Sequence, residues 1–196
     1  HVYTADEHTI KTIENVEKLK YDTASLGRIY LKLKRRDILY LALLFHDIAK
    51  PIDVSGHEIL GAAIAENVML RLGYSDEETE LVKFLVESHL YMEQVAFRRN
   101  LNDPETLNSF IQKVNTPEKL DMLYLLTYAD LSAVNPALWT SWKNDMLFEL
   151  YFKAKAMVDE KLSGEEVLLT NVLPGDISKH SAFISDKHVV SHIDAF

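Results

Sequence analysis

The apolar run Ile38-Leu39-Tyr40-Leu41-Ala42-Leu43-Leu44 leads directly into Phe45-His46-Asp47-Ile48-Ala49-Lys50 and stops at Pro51. A helix that is apolar on almost every face belongs in the middle of a bundle. Proline ends it, so the pattern predicts a buried helix from Asp37 to Lys50. That helix delivers a histidine and an aspartate side by side. A buried carboxylate without partners costs several kcal/mol, so Asp47 needs a cation or a full set of donors. Asp130 is in the same position within Leu120-Asp121-Met122-Leu123-Tyr124-Leu125-Leu126-Thr127-Tyr128-Ala129-Asp130-Leu131. Two acids in two greasy helices, with histidines nearby in sequence, suggest one shared polyvalent cation. Imidazole and carboxylate suit Mn, Fe, Co or Zn. Adjacent helical residues diverge by about 100°, so His46 and Asp47 can share an ion only at the helix end, where Pro51 and the following loop make room.

Composition narrows the class. The 196 residues can hold one good-sized core, or one domain with an appendage. There is no cysteine, so any metal must sit on His, Asp and Glu; the absence fits a cytoplasmic protein. A net charge of −9 disfavours a broad nucleic-acid footprint, which needs a basic face. No apolar stretch reaches the roughly 20 residues of a membrane helix, and no signal peptide is visible. The chain begins at His1 rather than Met, so we expect a piece of a longer protein.

Along the chain the punctuation is helical. Thr4 opens a helix whose buried stripe is predicted as Ile10, Ile13, Val16 and Leu19, with His8 at its edge. Residues 20 to 35 read as a connection or short helix. A capping box from Ser55 to Glu58 places His57 in a first turn, and Gly61, Ala62, Ala63 and Ala65 form a small-residue face. Gly73 and Ser75 supply a C-cap and the next N-cap. The helix Asp76 to Ser88, with Leu81, Phe84, Leu85 and Val86 inward, delivers His89. Tyr91 to Asn100 continues as helix or turn, and Pro104 and Pro117 each start a helix. Ala137 to about Lys161 reads as one long helix, with Trp139 and Trp142 as packing residues. From Ser163 the character changes, with a turn at Pro174-Gly175 and a short terminal helix from Ser185. The expectation is an all-α fold: a helical bundle over residues 1–162 and a short irregular C-terminal extension over 163–196, leading to a missing neighbouring domain.

The polar residues that interrupt or terminate these helices are His8, His46, Asp47, His57, His89 and Asp130. In that order they resemble the H…HD…D signature of the HD-domain metal-dependent phosphohydrolases. The resemblance implies a helical bundle holding a divalent ion on His8, His46, Asp47 and Asp130. In two-metal members Asp47 would bridge the ions, with His57 and His89 serving the second. Four strings look like one family within that group: His1-Val2-Tyr3-Thr4-Ala5-Asp6-Glu7-His8-Thr9, Leu44-Phe45-His46-Asp47-Ile48-Ala49-Lys50, Arg98-Arg99 and Trp139-Thr140-Ser141-Trp142-Lys143. That family is the HD domain of the bacterial PII uridylyltransferase/uridylyl-removing enzymes, and the resemblance covers about His1 to Val158. It implies removal of UMP from a tyrosine of a PII-type nitrogen signalling protein by phosphodiester hydrolysis. It also implies a longer chain with nucleotidyltransferase and ACT domains, of which this sequence shows neither.

On this reading the cofactor is one or two divalent ions, Mn, Fe, Co, Zn or Mg, which lower the pKa of a bound water. Asp47 and Lys50 are the catalytic candidates. Lys50, Arg98, Arg99 and Lys143 are candidates to hold substrate phosphate; for Lys50 a solvated lysine at a helix C-terminus is an equal alternative, and for Arg98 and Arg99 the alternative is surface charge on a helix end. His188 and His192, four residues apart, are expected to face solvent. Two other functions fit the same residues: an HD-type hydrolase of a free nucleotide, and a regulatory module that binds metal or nucleotide without turnover.

Overall fold

The computed structural model describes residues 4–52, 55–134 and 139–167. The chain divides after Asp159; the packing and the site below belong to the first unit, His1–Asp159. Among the described residues there are nine α-helices, one 3₁₀ turn and no strand, so the all-α expectation holds. No described helix is long and apolar enough to cross a membrane. The features expected at residues 174–175 and 185–196, with His188 and His192, lie outside the described residues.

α1 (Ala5–Lys18) starts with a capping box between Thr4 and Glu7. Its buried face is His8, Thr12 and Val16, one turn apart, while Ile10 is 58 % exposed. The expected stripe through Ile10 is therefore rotated. Helical spacing from Val16 runs back through Thr12 to His8, and tertiary packing selects that row over the more hydrophobic one. A 3₁₀ turn (Leu19–Tyr21) leads to α2 (Ser25–Lys32).

The tightest approach here is at Gly27. A Cβ there would run into the carbonyl group of Asp22, 2.7 Å from its carbon, and would stand 2.8 Å from the carbonyl oxygen of Leu19. Both obstacles are backbone, so no rotamer relieves them. Gly27→Ala is expected to cost about 2–3 kcal/mol, the upper end of overpacking penalties, read as a lowered urea midpoint. An unchanged midpoint would show that the turn yields freely.

α3 (Arg36–Phe45) is the central helix, with Ile38, Leu39, Ala42 and Leu43 fully buried. It packs against α1, α4 (His57–Leu72), α5 (Asp76–Ser88) and α8 (Pro117–Val134). Its α-helical ladder ends at Phe45 and not at Lys50 as expected. From there Ile48, Lys50 and Ile52 donate to the carbonyls three residues back, Phe45, Asp47 and Ala49, which is the tighter 3₁₀ pattern of a helix winding down before proline. His46 and Asp47 thus lie in the terminal turns.

α4 begins at a cap the sequence does not signal: Gly56, with φ +140°, is the N-cap in place of Ser55. That φ is costly for residues with a Cβ. α4 lies along α5, with Gly61, Ala62 and Ala65 in the contact and Ala63 exposed; a Cβ on Gly61 would meet Val86 at 3.3 Å. α4 ends in a Schellman turn at Gly73, φ +83°, where Tyr74 N–H donates to Met69 and Gly73 N–H to Leu70. Ser75 then caps α5 with Glu78 as its box partner. α6 (Tyr91–Arg98) and α7 (Pro104–Val114) follow, the latter capped by Asp103.

α9 (Ser141–Val167) starts later and ends later than the Ala137–Lys161 expectation. Its Leu147, Leu150, Tyr151 and Ala154 are buried, and Tyr151 stacks on Tyr124 of α8 at 4.4 Å while donating to Asp121.

Candidate metal centre

Six side chains singled out above meet at one end of the central helix. α1 contributes His8, the turn after α3 contributes His46 and Asp47, and α4 contributes His57 as its first residue. His89 follows the last residue of α5, and Asp130 comes from within α8. All six are buried. Four imidazoles stand in a row, with centroids 5.4 Å apart for His8–His46 and His46–His89 and 5.2 Å for His57–His89. α3 and α5 both end here, so the partial negative charge of two helix C-termini adds to the two carboxylates. The chamber is suited to cations.

The donors fall into two groups, each with its atoms within 4.8 Å of one another: His8, His46 and Asp130, and then Asp47, His57 and His89. Asp47 has one oxygen toward each. Its Oδ2 lies 3.7 Å from His46 Nε2 and 3.9 Å from His8 Nε2. Its Oδ1 lies 3.3 Å from His57 Nε2 and 3.8 Å from His89 Nε2. Lys50 Nζ donates to Oδ2 at 2.7 Å.

Two backbone contacts set the ring tautomers. His46 Nδ1 meets the Leu43 carbonyl, and His89 Nδ1 meets the Val86 carbonyl, each at 2.7 Å. A carbonyl only accepts, so each Nδ1 carries the proton and each neutral ring turns the lone pair of Nε2 into the chamber. His46 Nε2 and Asp47 Oδ1 are fully buried without a hydrogen-bond partner among the described residues. Asp47 Oδ1, His57 Nε2 and His89 Nε2 are three electron-rich atoms converging on one point, and a single proton on His57 can serve only one of the other two. A divalent cation satisfies all three, and the imidazole and carboxylate donor set is the right chemistry for it.

The charges are tuned accordingly. Burial pushes the Asp130 carboxyl up, but the hydrogen bond from His8 Nε2 at 2.8 Å and the nearby His46 and His89 overrule it and hold it well below the usual carboxylate range. Burial, then the neighbouring His46, with which any added proton would compete, pushes the His89 imidazole down to about 4. An unfolded histidine binds its proton from about pH 6.5 downward. The folded one refuses it, so metal-free stability should fall as pH drops from about 6.5 to about 4 and then level off in this respect. The stability tied to the depressed Asp130 is present above its unfolded value of about 3.9 and is lost only below it. Urea midpoints in chelator across this range check the prediction; a flat profile would refute it.

The phosphate candidates divide. Lys50 is in the chamber. Arg98 and Lys143 both act on Glu93 of α6, which burial and then the charge of Asp130 push upward and which these two cations pull back. Arg99 is exposed and acts on Tyr91 instead. Glu93 carries no signal in the sequence, because one acid in a short helix has no periodicity.

The HD domain family matches residues 5–130, well over half of the chain. The chain belongs to the HD-domain family. This HD domain is also similar to curated enzymes named bifunctional uridylyltransferase/uridylyl-removing enzyme. It is 46 % identical to that of Zymomonas mobilis over 156 residues, which cover 77 % of the chain and 17 % of the relative. To that of Azospirillum brasilense it is 42 % identical over 170 residues, covering 84 % of the chain and 18 % of the relative. To that of Idiomarina loihiensis it is 42 % identical over 156 residues, covering 77 % and 18 %. The HD domain thus spans under a fifth of the length of these relatives.

Proposed function

We propose that this HD domain is a metal-dependent phosphodiesterase that removes a uridylyl group from a tyrosine of a PII-type signalling protein. The observation that carries the reading is Asp47 with one carboxylate oxygen turned to each donor triad. His8, His46 and Asp130 would hold one divalent ion, His57 and His89 a second, and Asp47 would bridge them. Such ions supply an activated water at neutral pH and Lewis-acid stabilisation of phosphoryl oxygens. The chain's own residues do the rest. The Leu43 and Val86 carbonyls keep His46 and His89 in the tautomer that presents Nε2. Lys50, 26 % exposed and only 2.7 Å from Asp47, can exchange that carboxylate for a non-bridging phosphate oxygen, with Arg98, Lys143 and, further out, Arg99 adding positive charge. Water adds its oxygen to phosphorus, the bond from phosphorus to the tyrosyl oxygen breaks, one water proton passes to the tyrosyl oxygen and the other is released from the new phosphate oxygen, and tyrosine and UMP leave.

Two further features support a protein substrate in a larger enzyme. Ile48, Ile52 and Ile59, one or two residues in sequence from Asp47, Lys50 and His57, are 41 %, 74 % and 66 % exposed, apolar surface better matched to a protein than to a free nucleotide. The enzymes it resembles are several times longer than this chain.

The test is a substrate panel at one metal condition: uridylylated PII protein, UMP and ppGpp, with the wild-type chain and Lys50→Ala. Release of UMP from the protein, weakened at least about tenfold in Lys50→Ala with metal content unchanged, is the expected result. Turnover of a free nucleotide alone would replace the protein substrate. No turnover by a metal-loaded chain would favour the regulatory module.

A further inference from the structure

Tryptophan is normally a well-buried residue, yet Trp142 is 55 % exposed, contrary to its expected packing role. Its neighbour Trp139 behaves as expected, packed against the core with its ring edge-on to Tyr128 at 5.6 Å. Trp142 sits in the first turn of α9, which Thr140 caps by accepting from Lys143 N–H. Its ring lies against Phe97 of α6, with centroids 5.8 Å apart and planes inclined by 33°.

That contact brings together two aromatic–cation pairs, Phe97-Arg98 and Trp142-Lys143. α6 opens two residues after His89 and packs against α8, which carries Asp130, and its Glu93 feels the charges of Arg98, Lys143 and Asp130. An exposed indole face next in sequence to Lys143, seated against Phe97 on the helix that leaves the cation-binding chamber, is complementary to a ligand with a flat ring joined to a phosphate. Stacking on an aromatic face is tolerant of base identity, because every base has a π-face.

We propose that Trp142, backed by Phe97 and followed in sequence by Lys143, is the platform on which the pyrimidine base of the nucleotidyl group stacks. The proposal rests on the hydrolase reading for the identity of the base, and on this geometry alone for the platform. It makes Trp142 a specificity residue: it holds the nucleoside while the phosphate reaches the ions.

The test is calorimetric titration of the metal-loaded chain with UMP and, as a probe lacking the base, ribose 5-phosphate. Trp142→Ala should weaken UMP binding about tenfold and leave ribose 5-phosphate binding unaltered, while Trp142→Phe should restore most of the loss. Metal content and helical circular dichroism should match the wild type in both variants. In a Trp139→Phe chain, where Trp142 is the remaining tryptophan, UMP should quench the emission and ribose 5-phosphate should not. Equal loss for both ligands, unchanged UMP affinity in Trp142→Ala, or no UMP binding by the wild type would each overturn the platform. Wild-type turnover of bis(p-nitrophenyl) phosphate, which carries no base, judges the hydrolase reading separately.

Discussion

Asp47→Ala is expected to lose metal uptake and phosphodiester hydrolysis together while leaving the metal-free fold intact. Asp47 belongs to one triad and would be a further ligand to the other, Oδ1 facing His57 and His89 and Oδ2 facing His8 and His46. The activity loss should exceed the ~10–100-fold that follows removal of an outer-shell partner. Stability should move the other way. Asp47 is 2 % exposed and its Oδ1 has no hydrogen bond among the described residues, so the metal-free protein carries a buried, under-satisfied carboxylate. Its partner Lys50 is 26 % exposed and can turn to water, so removing Asp47 strands no buried charge. Elemental analysis, a hydrolysis assay and a thermal melt in chelator give the three readouts. Retained hydrolysis would take Asp47 out of the site, and a lower melting temperature in chelator would show that the carboxylate stabilises the fold.

His89→Ala is expected to halve the metal content. His89 Nε2 belongs to the group of Asp47 and His57, while His8, His46 and Asp130 form the other, so the variant should keep one ion of two and lose most of its activity. It should also be less stable by about 1–3 kcal/mol, because the Val86 carbonyl loses its donor in a buried place. His57→Ala should show the same metal content, since it opens the same triad. Two ions retained in either variant would mean that the triads are not separate sites. One ion in the wild type would withdraw the bridging role of Asp47.

The pattern of residues along the chain was enough to specify helices, because helix signals are local. The Thr4 and Ser75 capping boxes, the Gly73 terminus and the prolines at 104 and 117 all act within one turn of themselves, and the structure has each of them. The identity of the chamber residues was legible for a related reason. A polar group in a greasy helix is an energetic anomaly that can be read without coordinates, and His46, Asp47 and Asp130 are such anomalies.

What tertiary structure alone decided is which faces and ends meet. α1 buries His8 and Thr12 and exposes Ile10 because its partner α8 offers Asp130, a choice that no periodicity in α1 contains. α3 releases its ladder at Phe45, five residues before Lys50, because two adjacent residues can turn into one chamber only where the helix unwinds. Glu93, Arg98, Trp142 and Lys143 come from helices more than forty residues apart, and their meeting depends on how α6 and α9 pack. Local signals specify the elements; long-range packing, which selects among several faces of similar hydrophobicity, specifies the site.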